Sequence, residues 1–223
     1  MFIGHFGLAL AAKRVTPRIS LAVLFMAVAW ADLVWPVFVA TGVEQVRIDP
    51  GNTAVTPFDF VSYPYSHSLL MLIVWGLALG LLYRAVTGTG GTAWAMIGGL
   101  VVSHWVLDFV THRPDMPLYP GGKTFGLGLW NSMAATILVE VPMYAAGVWV
   151  YLRATEPRDA VGRWSFIALA LFLIAAYAAN MAGGPPASVQ VLWVSAIVGT
   201  VILLVWAGWA DRHRVTRSGS FRE

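Results

Sequence analysis

Seven apolar segments constrain the fold of this chain more than any other feature of its sequence. They cover residues 2–12, 19–40, 66–83, 93–110, 126–152, 164–182 and 189–210. The last six are long enough to cross a bilayer as helices, whereas the first is too short for a full crossing. The chain is 58% hydrophobic and only 11% charged, which is typical of a membrane protein rather than a soluble domain. The sequence therefore predicts an all-α integral membrane protein, a helical bundle of six spanning helices plus a short N-terminal apolar helix.

The basic residues predict how these segments are oriented. If the loop at 13–18 is cytoplasmic and the segments alternate, eleven Lys and Arg residues lie on the cytoplasmic side and three lie outside. Such a bias is the usual one for inner-membrane proteins. We therefore expect a multi-pass protein of the bacterial cytoplasmic membrane, with a single polytopic domain at 1–210. A loosely ordered, basic cytoplasmic tail follows at 211–223, and the outer loop at 41–65 is expected to be irregular.

Several classes of protein and site can be set aside. The chain has no Cys, so disulfides and thiolate metal sites are excluded. Its pI near 9.4 does not indicate a nucleic-acid partner, because the basic residues lie between apolar segments, where they set topology. No cleavable signal peptide is evident, since no basic residue precedes the first apolar segment. Membrane lipids and a lipid-like substrate are the expected partners.

The stretch SHWVLDFVTHRPD at 103–115 is unusually polar for the end of an apolar segment. It places His104, Asp108 and His112 at steps of four residues, which lie on one face of a helix. Polar side chains at membrane depth are costly and usually functional. The predicted topology brings His5, Asp32 and His67 to a similar depth from three other segments.

Imidazole and carboxylate groups together are suited to a divalent metal, most simply Zn²⁺. The predicted ligands are His5, Asp32, His67, His104, Asp108 and, as an optional member, His112. One or two ions are expected, since the two oxygens of Asp108 can bridge a pair. Taken alone, His112 would be read as an interfacial residue at a helix exit.

Four further residues are candidates for the chemistry. Glu140 is placed about two turns deeper than the cluster, near Pro142, as a catalytic group, a ligand, a proton relay or a structural partner. Asn131, Arg113 and Lys123 are candidate substrate contacts near the outer mouth. For the two basic residues, a solvated position at the interface is the alternative.

At these residues the chain resembles the bacterial inner-membrane metal-dependent hydrolases of the YdjM type. The resemblance spans most of residues 1–115 and rests on five pieces: His5, Asp32, the S-H-S at 66–68, the His104-x-x-x-Asp108 pair and Thr111. The order of ligands is also remotely similar to that of zinc-dependent phospholipase C and the S1/P1 nucleases. That similarity implies one ion held by His5 and Asp108, and another held by Asp32, His67, His104 and Asp108. The usual family motif H-R-x-x-T-H-S lacks its first His and Arg here, which favours one or two ions over three.

The leading functional hypothesis is a metal-dependent hydrolase acting at the outer face of the membrane. It would cleave a lipid or lipid-linked phosphate ester with a metal-bound hydroxide, using Asp108, His104 and Glu140. An ion- or proton-coupled transporter or channel built on the same cluster is one alternative, although the inner halves of the segments look apolar. A structural membrane protein with metal-stapled helices is the other.

Overall fold

The structure, a computed structural model, describes residues 1–217 and confirms the predicted all-α membrane architecture. Five helices are long and apolar enough to span a bilayer, and a bent pair makes up to six. The α-helices are α1 (Ile3–Ala12), α2 (Leu21–Val28), α3 (Trp30–Ala40), α4 (Pro64–His67), α5 (Leu69–Thr87), α6 (Ala93–Thr111), α7 (Met133–Ala154), α8 (Ala160–Ala182) and α9 (Val189–Arg212).

The predicted segment 19–40 is two helices rather than one. Helices α2 and α3 meet at Ala29 with a bend of 58°. Neither Gly nor Pro stands at the break, since Pro36 lies further along α3, so the sequence pattern gave no sign of it. The last carbonyls of a helix lack partners within it, so the break makes the carbonyl of Val28 available to another group.

The short helix α1 lies inside the bundle, with most of its residues buried. It packs along α7, where the backbones touch at Gly7 and Gly147. A Cβ added at Gly147 would lie 2.1 Å from the carbonyl oxygen of Gly7, so only glycine permits this approach. Ser20 begins α2 by accepting a hydrogen bond from the Val23 amide, which fixes the turn that follows α1. This packing holds His5 in the interior.

The loop between α3 and α4, predicted to be irregular, forms a β-hairpin. Strands β1 (Gln45–Ile48) and β2 (Phe58–Ser62) pair in an antiparallel arrangement. Val46 and Phe60 pack against Trp35, so apolar side chains fix the hairpin over α3. The sequence suggested an irregular loop because residues that favour turns, such as Pro50, Gly51 and Asn52, lie between the two strands. We call this end of the bundle the hairpin end.

A second small sheet lies on the connection from α6 to α7. Strands β3 (Met116–Pro117) and β4 (Thr124–Phe125) pair there, and a 3-10 helix at Leu129–Asn131 leads into α7. Met116 is fully buried beneath the hairpin. Both small sheets therefore cover the hairpin end of α6, where His112 follows the helix.

The opposite end carries the start of the tail that was predicted to be loosely ordered. Helix α9 continues to Arg212, and strand β6 (Arg214–Thr216) pairs with β5 (Thr155–Pro157). The buried guanidinium of Arg214 donates to oxygens of Thr155 and Gly162, which explains the order. The expectation of a loose tail is thus wrong for 211–216, and residues 218–223 lie outside the described part of the chain.

Candidate metal centre

Asp108 is the central carboxylate of the predicted cluster. Its Oδ1 lies 3.0 Å from Nε2 of His5 and also contacts the amino group of Met1. Its Oδ2 lies 3.1 Å from Nε2 of His104 and 3.7 Å from Nε2 of His112. The two oxygens therefore face different sets of histidines.

Asp32 contributes the second carboxylate from the first turn of α3. Its Oδ1 lies 3.6 Å from Nε2 of His67 and 3.8 Å from Nε2 of His104. Half of the Asp32 side chain is exposed, whereas both rings are buried. Asp32 thus stands at the open side of the cluster.

Two sets of possible ligand atoms lie close enough to hold an ion, with all members within 4.8 Å of one another. One set is His5, His104 and Asp108, and the other is Asp32, His67 and His104. The structure therefore brings together five of the predicted ligands, with His112 beside them.

The ring of His104 is oriented by the break between α2 and α3. Its Nδ1 lies 2.7 Å from the carbonyl oxygen of Val28, the last residue of α2. Because a carbonyl can only accept, Nδ1 carries a proton, and in the neutral ring Nε2 therefore carries a lone pair. That Nε2 is buried and makes no hydrogen bond, although Asp108 Oδ2 is nearby.

His67 is oriented by a buried relay through Ser66 to Glu44. The hydroxyl of Ser66 donates to Glu44 Oε2 over 2.6 Å, and its oxygen lies 2.7 Å from Nδ1 of His67. Since the hydroxyl proton is used on Glu44, Ser66 accepts from Nδ1–H. Glu44 Oε1 also accepts from the amides of Tyr65 and Ser66, which fixes the turn of α4 that carries His67.

His112 has a carboxylate behind it. Its Nδ1 lies 3.0 Å from Asp115 Oδ1, which also accepts from the hydroxyl of Tyr63. Burial alone would raise the pKa of Asp115, but hydrogen bonds from His112, Tyr63 and Arg113 hold that pKa below its usual value. Burial lowers the pKa of His112, so the ring is neutral, with Nδ1–H toward Asp115 and the Nε2 lone pair toward Asp108.

These three rings share one arrangement. In each, Nδ1 donates outward to an oxygen and Nε2 points inward at a carboxylate. A lone pair facing a carboxylate is repulsive unless a cation lies between them. Histidine ligands of metals are oriented by just such outer hydrogen bonds. The donor set of nitrogen and oxygen atoms therefore fits a divalent metal such as zinc.

The ring of His5 is held differently. It stacks on the ring of His104, with centroids 4.0 Å apart and planes 2° from parallel. Its Nε2 faces Asp108, while its buried Nδ1 makes no hydrogen bond. Because a carboxylate only accepts, the ring proton lies on Nε2 and is donated to Asp108 Oδ1, whereas in the other three rings the outer nitrogen carries it.

Glu140 is buried beside the first turn of α1. Its Oε2 accepts hydrogen bonds from the amides of Phe2, at 2.8 Å, and Gly4, at 3.3 Å. This carboxylate therefore caps the start of α1, a structural role that serves α1 rather than backbone freed by Pro142. Its other oxygen is buried and makes no hydrogen bond, and Glu140 lines the same cavity as Asp108.

The predicted substrate contacts lie outside that cavity. The guanidinium of Arg113 is paired with Asp59 and Asp115. Asn131 and Lys123 are exposed, and neither belongs to the cavity lining among the described residues. Trp130, the neighbour of Asn131, does line the cavity.

The cavity beside the cluster has a volume of about 190 Å³. Its ionisable side chains are those of Asp32, His67, Asp108, His112 and Glu140. Most of the rest is aromatic or apolar, including Trp35, Phe58, Phe60, Trp130, Tyr177 and Met181. The cluster therefore faces a space that is polar on one side and apolar on the other.

This cavity continues into a groove between the hairpin and the ends of α8 and α9. The two spaces share Val55, Thr56, Phe58, Asn180 and Met181 as lining residues. The groove reaches Ala176 on α8 and Ser195 on α9, each about 9 Å inside the end of its helix. It thus opens toward the side of the bundle.

Several residues that orient the cluster were not among the predicted ones. The i, i+3 spacing of His112 and Asp115 was a signal that could have shown their pairing. No local signal pointed to Glu44 or Tyr63, because each meets its partner through the packing of a loop.

The residues of the cluster lie within a segment that matches one protein-family model. A protein-family model described as YdjM inner membrane protein matches residues 3–183. The match extends well beyond residue 115, where the recognisable motifs end. No curated protein and no solved structure is significantly similar to the chain.

Proposed function

The chain belongs to the YdjM inner membrane protein family, and we propose that it is a membrane-embedded metal-dependent hydrolase. One observation carries the proposal. The Nε2 atoms of four histidines face two carboxylates beside a cavity, and in three of the neutral rings this nitrogen has no proton to donate. This arrangement is suited to binding a cation and to presenting it to a substrate.

The ligand atoms suggest how many ions the site holds. His104 has a single Nε2 lone pair and so can bind only one ion, although both sets of ligand atoms include it. Asp108 presents Oδ1 to His5 and Oδ2 to His104. We therefore assign one zinc ion to Asp32, His67, His104 and Asp108 Oδ2. A second ion would be held by Asp108 Oδ1 and His5.

The bound metal would supply a Lewis acid and a water molecule acidified toward neutral pH. The chain itself orients the ligands and bounds the reaction space. Glu140 Oε1 and the hydroxyl of Tyr177, both buried and without partners, can accept from and donate to a polar group of the substrate. Trp130 lies 4.3 Å from the ring of His112 and closes the cavity beside it.

A lipid or lipid-linked phosphate ester is the proposed substrate. The apolar part of the cavity and the groove along α8 and α9 offer a path for an acyl chain to reach the cluster from within the bilayer. The bias of basic residues toward the other end of the helices favours a site on the extracytoplasmic side and a cytoplasmic C-terminus.

The test is zinc content measured together with hydrolysis. Protein purified without chelator should carry one or two zinc equivalents, and His67→Ala should lose at least one of them. The wild-type protein should also cleave phospholipids in vesicles or the soluble diester bis-p-nitrophenyl phosphate. The control is His213→Ala, which removes the one histidine at the far end of the bundle. Equal zinc content in the two variants, or hydrolysis that survives His67→Ala, would contradict the proposal.

A further inference from the structure

A basic pocket lies at the end of the bundle opposite the candidate metal centre. It is formed between the α1–α2 loop, strand β5 and strand β6. Its charged lining residues are Lys13, Arg158, Asp211, Arg212 and Arg214. Along α7 it lies about 22 Å from Glu140, so it is separate from the cavity of the metal centre.

The single acid of the basic pocket is already used. Asp211 Oδ2 pairs with Lys13 over 2.7 Å and also accepts from the amide of Leu21. Its Oδ1 accepts from the hydroxyl of Tyr151 at 2.8 Å. Asp211 therefore neutralises Lys13 and leaves little capacity for another cation.

Arg214 is a buried cation with only neutral partners. It is 7% exposed, and its guanidinium donates to Thr155 Oγ1 at 3.0 Å and to the carbonyl of Gly162 at 2.8 Å. It also lies over the rings of Tyr151 and Phe166. No carboxylate among residues 1–217 lies within ion-pair distance of it. A buried charge without a carboxylate in direct contact is costly, and Asp211, the acid near it, is already paired with Lys13, so an anion in the pocket would be favoured.

Arg158 and Arg212 stand exposed at the rim of the basic pocket. Neither forms a salt bridge within the described chain. Four positive charges and one negative charge thus surround one concave space. Such a concentration of positive charge attracts a phosphate group and provides several donors for its oxygens.

Exposed tryptophans place this pocket at the level of lipid headgroups. Trp149, Trp164 and Trp209 are 59%, 63% and 49% exposed and lie near the same ends of α7, α8 and α9. Tryptophan is enriched where a membrane meets water. Arg153 lies over the ring of Trp149, an arrangement that suits this boundary. A lipid phosphate would therefore reach the pocket without leaving its leaflet.

We propose that the basic pocket binds the phosphate group of an anionic phospholipid, with Arg158 and Arg212 contacting it at the rim. The negative charge of the lipid phosphate offsets the positive charge of the buried Arg214, and the lipid thereby holds strand β6 against β5. A soluble phosphate compound presents the same chemistry, so the experiment includes it as a separate ligand. This site does not depend on the proposed hydrolase activity.

The test is lipid binding by the full-length protein in dodecyl maltoside, followed by native mass spectrometry. Phosphatidylglycerol, phosphatidylcholine and inorganic phosphate are added separately. The test variant is Arg158→Gln/Arg212→Gln, in which both substituted residues are exposed. The control is Arg84→Gln/Arg153→Gln, which removes the same charge from exposed positions outside the pocket.

Wild-type protein should prefer phosphatidylglycerol to phosphatidylcholine, and the pocket variant should bind phosphatidylglycerol about 30-fold more weakly. The control variant should stay close to wild type. Inorganic phosphate that displaces the lipid from wild type but not from the pocket variant would support the phosphate site and identify a soluble source. Equal losses in the two variants, or no preference for the anionic lipid, would overturn the proposal.

Discussion

Replacing Ser66 with Ala tests whether the relay behind His67 positions a metal ligand. Ser66 is fully buried, and its oxygen is the acceptor for Nδ1–H of His67. The substitution leaves the amides of Tyr65 and Ser66 bonded to Glu44, because those bonds use the backbone. The fold of α4 should therefore persist while the imidazole loses its outer partner.

The expected size of the effect follows from that lost partner. A buried N–H without an acceptor costs about 1–3 kcal/mol, unless the ring rotates and moves Nε2 away from Asp32. Either outcome weakens metal binding. Removing an outer hydrogen bond of this kind typically costs about 10–100-fold in metal affinity. We therefore expect Ser66→Ala to bind zinc about 10–100-fold more weakly than the wild type.

The assay is competition for Zn²⁺ with a chromogenic chelator, in detergent and at neutral pH. The control is Ser68→Ala, which removes the same atom from a buried serine on the other side of His67. Ser68 begins α5 by accepting from the Met71 amide. Its loss should lower stability by about 1 kcal/mol and leave zinc affinity unchanged. Wild-type zinc affinity in Ser66→Ala would refute the relay as a positioning device.

Three further changes probe the packing of α1, the role of Glu140 and the other end of the bundle. Gly147→Ala forces a Cβ against the backbone of α1 and should destabilise by about 3 kcal/mol in thermal unfolding, whereas Gly199→Ala, in open space on α9, should be neutral or stabilising. Glu140→Ala should lower the free energy of unfolding by about 2 kcal/mol because it uncaps α1, while Glu140→Gln keeps an acceptor and should lower it less. If Glu140→Gln abolished hydrolysis and left stability intact, Glu140 would be a catalytic carboxylate instead. A hydrogen bond from His213 lowers the pKa of Asp159. The Asp159 carboxylate therefore stabilises the fold above its usual pKa and loses that effect as the pH falls through the lowered value. Asp159→Asn should flatten the acid side of a plot of unfolding midpoint against pH, and an unchanged plot would contradict this.

Hydropathy was sufficient to predict the helices, because a bilayer leaves few alternatives for a long apolar segment. It did not predict the bend at Ala29, since that bend is set by how α2 and α3 pack rather than by a Gly or Pro. The hairpin was not predicted because its strands are short. The contacts that fix it, among Trp35, Val46 and Phe60, join residues that lie far apart in sequence. Strand β6 was missed for a related reason, since its order comes from the contacts of Arg214.

The candidate ligands could be listed from sequence because intramembrane His and Asp residues are rare and shared one depth. The i, i+4 step of His104 and Asp108 fixed one pair, and the topology brought His5 to the same level. The outer partners could not be predicted, because Glu44 reaches His67 only through the fold of a loop. For Arg113, the sequence suggested a substrate contact or a solvated base at the interface, whereas the structure pairs it with Asp59 and Asp115.

X-ray absorption at the zinc K-edge, on protein purified in detergent without chelator, tests most directly whether these histidines bind a metal ion. We expect nitrogen and oxygen neighbours of zinc at about 2.0–2.1 Å, with more distant scattering from several imidazole rings. In His104→Ala, the imidazole contribution should fall. Absence of bound zinc, or a zinc shell without imidazole scattering, would contradict the claim that these histidines converge on a metal ion.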